Sequence, residues 1–227
     1  MPNPNKGESK QHFISRCIPY VIDEGYPNKQ AAAICYSKWR KKGGGFDEDI
    51  KQIIKKGKGI SLSDLDVLNL VDNKAKVLLY KELSKFNTLD ELLEPYGSVF
   101  ILYETKPNYG HWTCLWRRNS NTINFFDPYG IFPDEELYWN DEYTRKYLDQ
   151  NIPFLSYLLI NSPYKNLEFN DHDYQHESTN INTCGRWCAL RILLRNWSPE
   201  QFEKVFGYVK NPDDLVTLIT EILSKVL

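Results

Sequence analysis

Three short segments carry residue types that together perform nucleophilic catalysis. Cys184 and Gly185 open an apolar-rich stretch, His111 precedes Trp112, and Asp127 closes a run typical of a strand. A thiol, an imidazole and a carboxylate are the three parts of a cysteine-nucleophile triad. If folding brings them together, these residues favour a cysteine protease.

The position of Cys184 is the strongest of the three signals. The residues from 184 to 197 predict a helix, and a thiolate at a helix start is stabilised by the backbone N–H groups and the helix dipole. Gly185 would let a substrate backbone approach closely, and the Cys184 amide could face a developing oxyanion. Cys188 is a second thiol one helical turn further on, and we assign it to the core.

His111 is the candidate general base and Asp127 the candidate orienting acid. The two lie on opposite sides of a predicted hairpin turn at residues 119–121, and antiparallel pairing should make them neighbours. The side-chain amide of Gln175 could complete an oxyanion hole. Taken singly, each residue also has a plain structural interpretation, such as a buried cysteine or an Asp-Pro strand end.

A zinc site is an alternative interpretation of the same region. Cysteine and histidine are ligands that zinc favours, and four of them fall close together in sequence: His172, His176, Cys184 and Cys188. Their spacings match no familiar zinc-finger pattern, and this interpretation leaves His111 and Asp127 unexplained. It would make the chain a zinc-stabilised interaction domain without catalysis.

Helical periodicity comes first along the chain, then strands, then helices again. Helices are predicted over 9–24 (kinked or split at Pro19), 28–39, 63–71, 74–83, 88–93, 184–197, 199–206 and 213–227, and strands over 99–103, 111–116 and 122–126. Residues 153–160 fit either type. This order predicts an α+β fold. Glycines 43–45 suggest a boundary between a basic helical arm (1–45) and a catalytic domain (46–227), with a looser boundary at Lys55–Gly59.

Composition limits the possible settings of the chain. Its 227 residues include 41% hydrophobic residues, enough for a packed core, and no apolar run approaches the roughly 20 residues of a membrane span. The polar N-terminus lacks a signal-peptide pattern, and five cysteines are an odd number, so we expect free thiols in a reducing compartment. Residues 1–58 carry twelve Lys/Arg against six Asp/Glu, whereas the remainder is acidic.

In their order and local setting, His111-Trp112, Asp127, Gln175 and Cys184-Gly185 resemble the adenain-like cysteine proteases. This family includes the adenovirus maturation protease, its relatives in DNA viruses and virophages, and the SUMO-deconjugating proteases. The resemblance covers His111–Arg191 in detail and roughly Ser61–Leu227 in outline. The segment Glu24–Trp39 is also similar to short terminal segments of viral head-maturation proteins.

The resemblance implies a papain-like α+β fold, with a small mixed or antiparallel sheet packed against helices and the nucleophile at a helix N-terminus. It implies Cys184 as nucleophile, His111 as base, Asp127 as orienting acid and Gln175 as oxyanion donor, with no cofactor or metal. The implied activity is endopeptidase cleavage of viral capsid or core proteins; removal of ubiquitin-like modifiers by an isopeptidase is the alternative.

The same resemblance suggests further partners and a location. Self-cleavage near Gly43–Gly45 or Gly57–Gly59 would release the basic arm, which could also bind nucleic acid. No membrane association is expected. We expect the protein in the host cytoplasm or viral factory and in the virion, and not secreted.

Overall fold

The computed structural model of the protein describes residues 2–43 and 48–226. It divides into two compact units, one ending at Ile53 and the other beginning at Ile54. This division falls between the two boundaries that the sequence suggests, at glycines 43–45 and at Lys55–Gly59. Of that glycine run, Gly44 and Gly45 lie outside the described residues.

The N-terminal unit is a helical hairpin with its own small core. Its helices are α1 (Lys10–Asp23) and α2 (Asn28–Gly43), followed by α3 (Glu48–Lys58), whose last turns belong to the second unit. Helix α1 begins at the side-chain cap of Ser9 and runs through Pro19 as one helix, so of the two outcomes expected at Pro19, a kink or a split, the split is wrong.

A disulfide joins the two helices of this hairpin. Cys17 and Cys35 occupy buried positions on α1 and α2, their Cα atoms lie 5.9 Å apart, and the sulfurs are bonded. Phe13, Val21 and Ala31 complete the buried cluster around them. The expectation of five free thiols is therefore wrong: one pair faces across a helical hairpin, which leaves three free thiols.

The second unit is an α+β domain, as the order of predicted elements indicated. Its helices and strands follow in this order: α4 (Asp64–Leu70), β1 (Lys76–Leu79), α5 (Leu89–Leu93), β2 (Ser98–Lys106), β3 (Tyr109–Asn119), β4 (Thr122–Phe126), α6 (Glu142–Tyr147), α7 (Phe154–Ile160), β5 (Asn166–Glu168), α8 (Cys184–Leu193), α9 (Pro199–Phe206) and α10 (Pro212–Val226). Short 3₁₀ helices span Tyr80–Lys85 and Glu135–Trp139.

The five strands form one mixed sheet in the order β1-β2-β3-β4-β5. Strands β2, β3 and β4 are the predicted antiparallel meander, whereas β1 and β5 pair in parallel at the two edges. The segment 74–83 was expected to be helical, and this is wrong. Parallel pairing with β2 draws Lys76–Leu79 into the sheet, and a 3₁₀ turn follows.

Both faces of the sheet are buried, which explains the continuous apolar run of β2. Val99 and Ile101 point into one core, beneath α5 and α7, while Phe100 and Leu102 point into the other. Helix α8 lies in the second core and is buried along Cys184–Ile192. Successive side chains of β2 point to opposite faces of the sheet, and each face is covered by helices.

No helix among the described residues is both long enough and apolar enough to cross a bilayer.

Candidate active site

Cys184 is the first residue of α8, packed against strand β3. Its side chain is buried, with 7% of the residue exposed. Burial on its own would raise the pKa of the thiol. A hydrogen bond and the charge of His111 outweigh this, together with the backbone N–H groups of Trp112 and Gly185, and they hold the pKa of Cys184 below its ordinary value.

His111 lies on β3 and Asp127 immediately follows β4, as the hairpin predicted. The imidazole Nε2 lies 3.1 Å from Asp127 Oδ1, and both side chains are buried. Because Nε2 is engaged by Asp127, Nδ1 is the ring nitrogen available to the Cys184 thiol. The structure therefore places the imidazole in direct contact with the carboxylate, and the thiol close enough to His111 for its pKa to respond to it.

Electrostatics favour the charged form of the histidine. Burial opposes a proton on His111, but the acidic neighbours Glu136 and Asp127, and the hydrogen bonds of His111 with Asp127 and Cys184, raise the pKa of His111 well above its ordinary value. With the pKa of Cys184 shifted the other way, the site favours a thiolate–imidazolium pair.

Backbone contacts hold the carboxylate in place. The Tyr129 amide donates to Asp127 Oδ1 at 2.7 Å. The side-chain amide of Asn170 donates to the Asp127 carbonyl at 2.6 Å, and the Asp127 amide donates to Asn170 Oδ1 at 3.1 Å. Asn170 is thus a supporting residue that no sequence pattern indicated.

Gln175 lies beside Thr183, the residue that precedes Cys184. Its side-chain carbonyl lies 3.3 Å from the Thr183 hydroxyl, which donates to Asp213 Oδ1 at 2.5 Å, and its side-chain N–H group donates to the Tyr129 hydroxyl at 2.7 Å. In this structure the side-chain N–H groups of Gln175 are engaged by the Tyr129 hydroxyl and, at 3.4 Å, by the Ile181 carbonyl.

Two aromatic rings cover His111. Tyr129 stacks on the imidazole with ring centroids 4.7 Å apart, and Trp139 meets it edge-on at 5.5 Å. Sequence reasoning missed both. The position of Tyr129 could have been predicted, because extending the register Cys114↔Phe126 by three residues places residue 129 opposite residue 111. Trp139 comes from a 3₁₀ turn without a recognisable motif.

Gly185 serves packing. A Cβ atom there would lie 3.0 Å from Trp112 Cδ1, 3.1 Å from Val67 Cγ1 and 3.3 Å from Leu62 Cβ. The first turn of α8 therefore needs glycine to lie this close to β3 and α4. Packing alone thus accounts for glycine at this position, and close approach of a substrate backbone stays a prediction.

The four candidate zinc ligands do not converge. His176 Nδ1 pairs with Asp213 Oδ2 at 2.8 Å, and the His172 ring packs against Tyr174. Cys188 donates its thiol to the Trp112 carbonyl. Within 2–43 and 48–226, the one close group of potential metal ligands is instead His111, Asp127 and Glu136.

The fold and site define a class: an α+β protein with a five-stranded mixed sheet, whose buried central helix presents a thiol to an imidazole–carboxylate pair. No protein-family model matches the chain. Uncharacterized protein V9 of Sputnik virophage is 43% identical over 166 residues, which cover 71% of this chain and 94% of V9. The chain belongs to the same family as V9, which supports a virophage origin.

One solved structure is also similar, at a low level. The central domain of the uncharacterized Lpg1148 protein from Legionella pneumophila matches with a TM-score of 0.37 and 15% identity, over 73% of this chain and 97% of that one. A likeness at this level carries no argument about fold or function.

Proposed function

We propose that this protein is a cysteine endopeptidase of the adenain-like, papain-like type. One observation carries the proposal: the pKa of Cys184 is lowered at a helix start beside His111, whose own pKa is raised and whose Nε2 is paired with Asp127. Opposite shifts in a contacting thiol and imidazole are what a thiolate nucleophile requires.

The chemistry follows from these positions. The Cys184 thiolate attacks the peptide carbonyl, and the electron pair of the C=O bond moves to oxygen. When the tetrahedral intermediate collapses, the imidazolium of His111 gives its proton to the leaving amine and a thioester remains. Neutral His111 then takes a proton from water, the hydroxide attacks the thioester, and Cys184 is released as thiolate.

The oxyanion needs hydrogen-bond donors near Cys184. We assign the Cys184 backbone amide and the side-chain amide of Gln175 to this task. Since Gln175 now donates to the Tyr129 hydroxyl, the substrate oxygen must replace that hydroxyl as acceptor. Binding of substrate therefore breaks the hydrogen bond between Gln175 and Tyr129, the ring stacked on His111.

The proposed substrates are virion structural proteins, because the V9 relative belongs to a virophage. Self-cleavage at Gly57–Gly59 is disfavoured by the contacts of that segment. Gly57 lies in α3 with its carbonyl bonded by Arg186 at 3.1 Å, and Asn182 holds the Gly59 carbonyl at 2.9 Å. Part of the other candidate, Gly43–Gly45, lies outside the described residues.

Cleavage of a proteome-derived peptide library tests the proposal. Wild-type protein should generate new peptide N-termini, identified by mass spectrometry, whereas Cys184→Ala should generate none and Cys188→Ala should retain them. Cleavage that persists in Cys184→Ala would refute the nucleophile. Absence of cleavage by the wild type, combined with Cys184 labelling by a ubiquitin-like propargyl probe, would favour the isopeptidase alternative.

A further inference from the structure

A buried glutamate next to the triad has no place in the chemistry above. Glu136 lies in the 3₁₀ turn Glu135–Trp139 with 3% of its surface exposed. Its Oε1 lies 3.8 Å from His111 Nε2. Neither carboxyl oxygen of Glu136 has a conventional hydrogen-bond donor, and the same is true of Asp127 Oδ2.

These three oxygens belong to two buried carboxyl groups, which have oxygens within 4.8 Å of each other. Asp127 Oδ1 is already used by His111 and by the Tyr129 amide, which leaves Oδ2 for Glu136. Two buried carboxyl groups in contact do not both ionise, because the mutual repulsion is too costly away from water. A proton on Glu136, donated to Asp127 Oδ2, gives both groups a partner.

The direction of the acidities agrees with this geometry. Burial first, and then the charge of Asp127, raise the pKa of Glu136 well above its ordinary value. Burial also acts to raise the pKa of Asp127, but the charge of His111 and hydrogen bonds from Glu136 and His111 lower it overall. The proton therefore belongs to Glu136 and the charge to Asp127.

We infer that Glu136 is a positioning residue of the proposed active site: it stays protonated, donates its hydroxyl to Asp127 Oδ2, and fixes that carboxylate against His111. This inference rests on the proposed function. It explains why two carboxyl groups lie beside one imidazole. With one negative charge between them, they support the imidazolium of His111 yet still allow it to release its proton to a leaving group.

A bound cation would be the rival explanation of the same oxygens, since His111, Asp127 and Glu136 form a possible ligand set. The geometry favours the proton. A cation would have to take His111 Nε2 away from Asp127, whereas the two atoms lie 3.1 Å apart in hydrogen-bond contact. The titratable groups that interact with Glu136 are the following: Tyr103 on β2, His111 on β3, Asp127 just after β4 and Cys184 at the start of α8.

Alkylation of Cys184 by iodoacetamide tests this role without a substrate. Its rate against pH reports the thiolate, and trypsin cleavage at Arg186 places Cys184 and Cys188 in separate peptides. Glu136→Gln keeps an uncharged donor to Asp127, so its profile should match the wild type within about 2-fold. Glu136→Met keeps the volume but removes the donor, so alkylation near about pH 7 should fall about 10-fold.

Several outcomes would overturn the inference. If Glu136 were ionised, Glu136→Gln would remove a negative charge facing His111, lower the pKa of His111 and weaken the thiolate–imidazolium pair, so its profile would differ from the wild type by more than about 2-fold. If both variants matched the wild type, Glu136 would have no positioning role. Stoichiometric metal in the wild-type protein, with a profile changed by a chelator, would establish the cation instead.

Infrared difference spectra give a second measurement, which stays decisive if Glu136→Met does not fold. Wild type minus Glu136→Gln at neutral pH should show the C=O stretch of a protonated carboxylic acid, and its absence would refute the proton on Glu136. These measurements do not depend on proteolysis. Failure of the peptide-library experiment would leave them interpretable, and failure of the Glu136 inference would leave the triad proposal standing.

Discussion

The two cysteines of helix α8 lie one turn apart, and both are buried, yet their thiols have opposite properties. The pKa of Cys184 is lowered, whereas burial and the neighbouring Cys114 raise the pKa of Cys188 well above its ordinary value. Burial therefore does not explain why the two pKa values differ. The difference comes from the hydrogen-bond donors and charges that face each sulfur.

A single residue of β3 shows the difference. The backbone N–H of Trp112 helps to lower the pKa of Cys184 and so favours its thiolate. The carbonyl of the same residue accepts the Cys188 thiol proton at 3.1 Å and so favours the neutral form. Only Cys184 also has His111 beside it. One strand residue thus favours the thiolate at Cys184 and the neutral, buried thiol at Cys188.

The strongest test of this contrast compares Cys184→Ala with Cys188→Ala in peptide cleavage. Loss of the nucleophile should lower kcat/KM by at least about 1000-fold, whereas loss of the core thiol should change it by no more than about 3-fold. Cleavage is measured on peptides identified from the library. A reversed order of the two variants would make Cys188 the nucleophile.

Alkylation of the wild-type protein should separate the two thiols by a smaller factor. Near about pH 7, Cys184 should react at least about 100-fold faster than Cys188 in the folded protein, because only Cys184 has appreciable thiolate character. Denaturation should remove the difference.

In His111→Gln the rate of alkylation at Cys184 should fall at least about 10-fold, since the imidazole supplies the hydrogen bond and the charge that lower the pKa of the thiol. Equal rates in the folded wild type would contradict the contrast.

The raised pKa of His111 predicts how stability depends on pH. The unfolding free energy contributed by His111 should be fully present below about pH 6.5, the ordinary histidine value, and be lost as pH rises through the raised folded value. Urea unfolding of Cys184→Ala against Cys184→Ala/His111→Gln measures this without the thiol's own titration. The difference between the two variants should shrink as pH rises, and a growing difference would contradict the assigned shift.

Local sequence patterns predicted the central strands β2 to β4. They did not predict the edge strands β1 and β5, which form only through parallel pairing with strands of the sheet. Strands β2 to β4 follow one another through short turns, so alternation and turn residues were enough to place His111 beside Asp127. Strands β1 and β5 are four and three residues long and pair in parallel with strands elsewhere in the chain. Such short segments carry no periodicity that could distinguish them from a helix or a loop.

The candidate site follows the same rule. Cys184, His111 and Asp127 were predictable because each lies within two residues of the end of an element that the sequence marks clearly. Glu136 and Trp139 reach His111 only because a 3₁₀ turn after β4 folds back over it, and no motif encodes that turn. The cysteine count was equally uninformative: an odd total concealed one disulfide in the N-terminal hairpin.

The smallest effect is expected for the stability of Cys188 variants. The Cys188 side chain is fully buried beside Cys114 and β3, so Cys188→Ala leaves a small cavity and the Trp112 carbonyl without its thiol donor. The unfolding free energy should fall by about 1–2 kcal/mol, measured by urea denaturation. Cys188→Ser keeps a donor for that carbonyl but has a shorter reach and buries a more polar group, so it should not exceed the stability of the wild type. If Cys188→Ala left stability unchanged and abolished cleavage, Cys188 would be part of the chemistry, and the contrast between the two turns of α8 would fail.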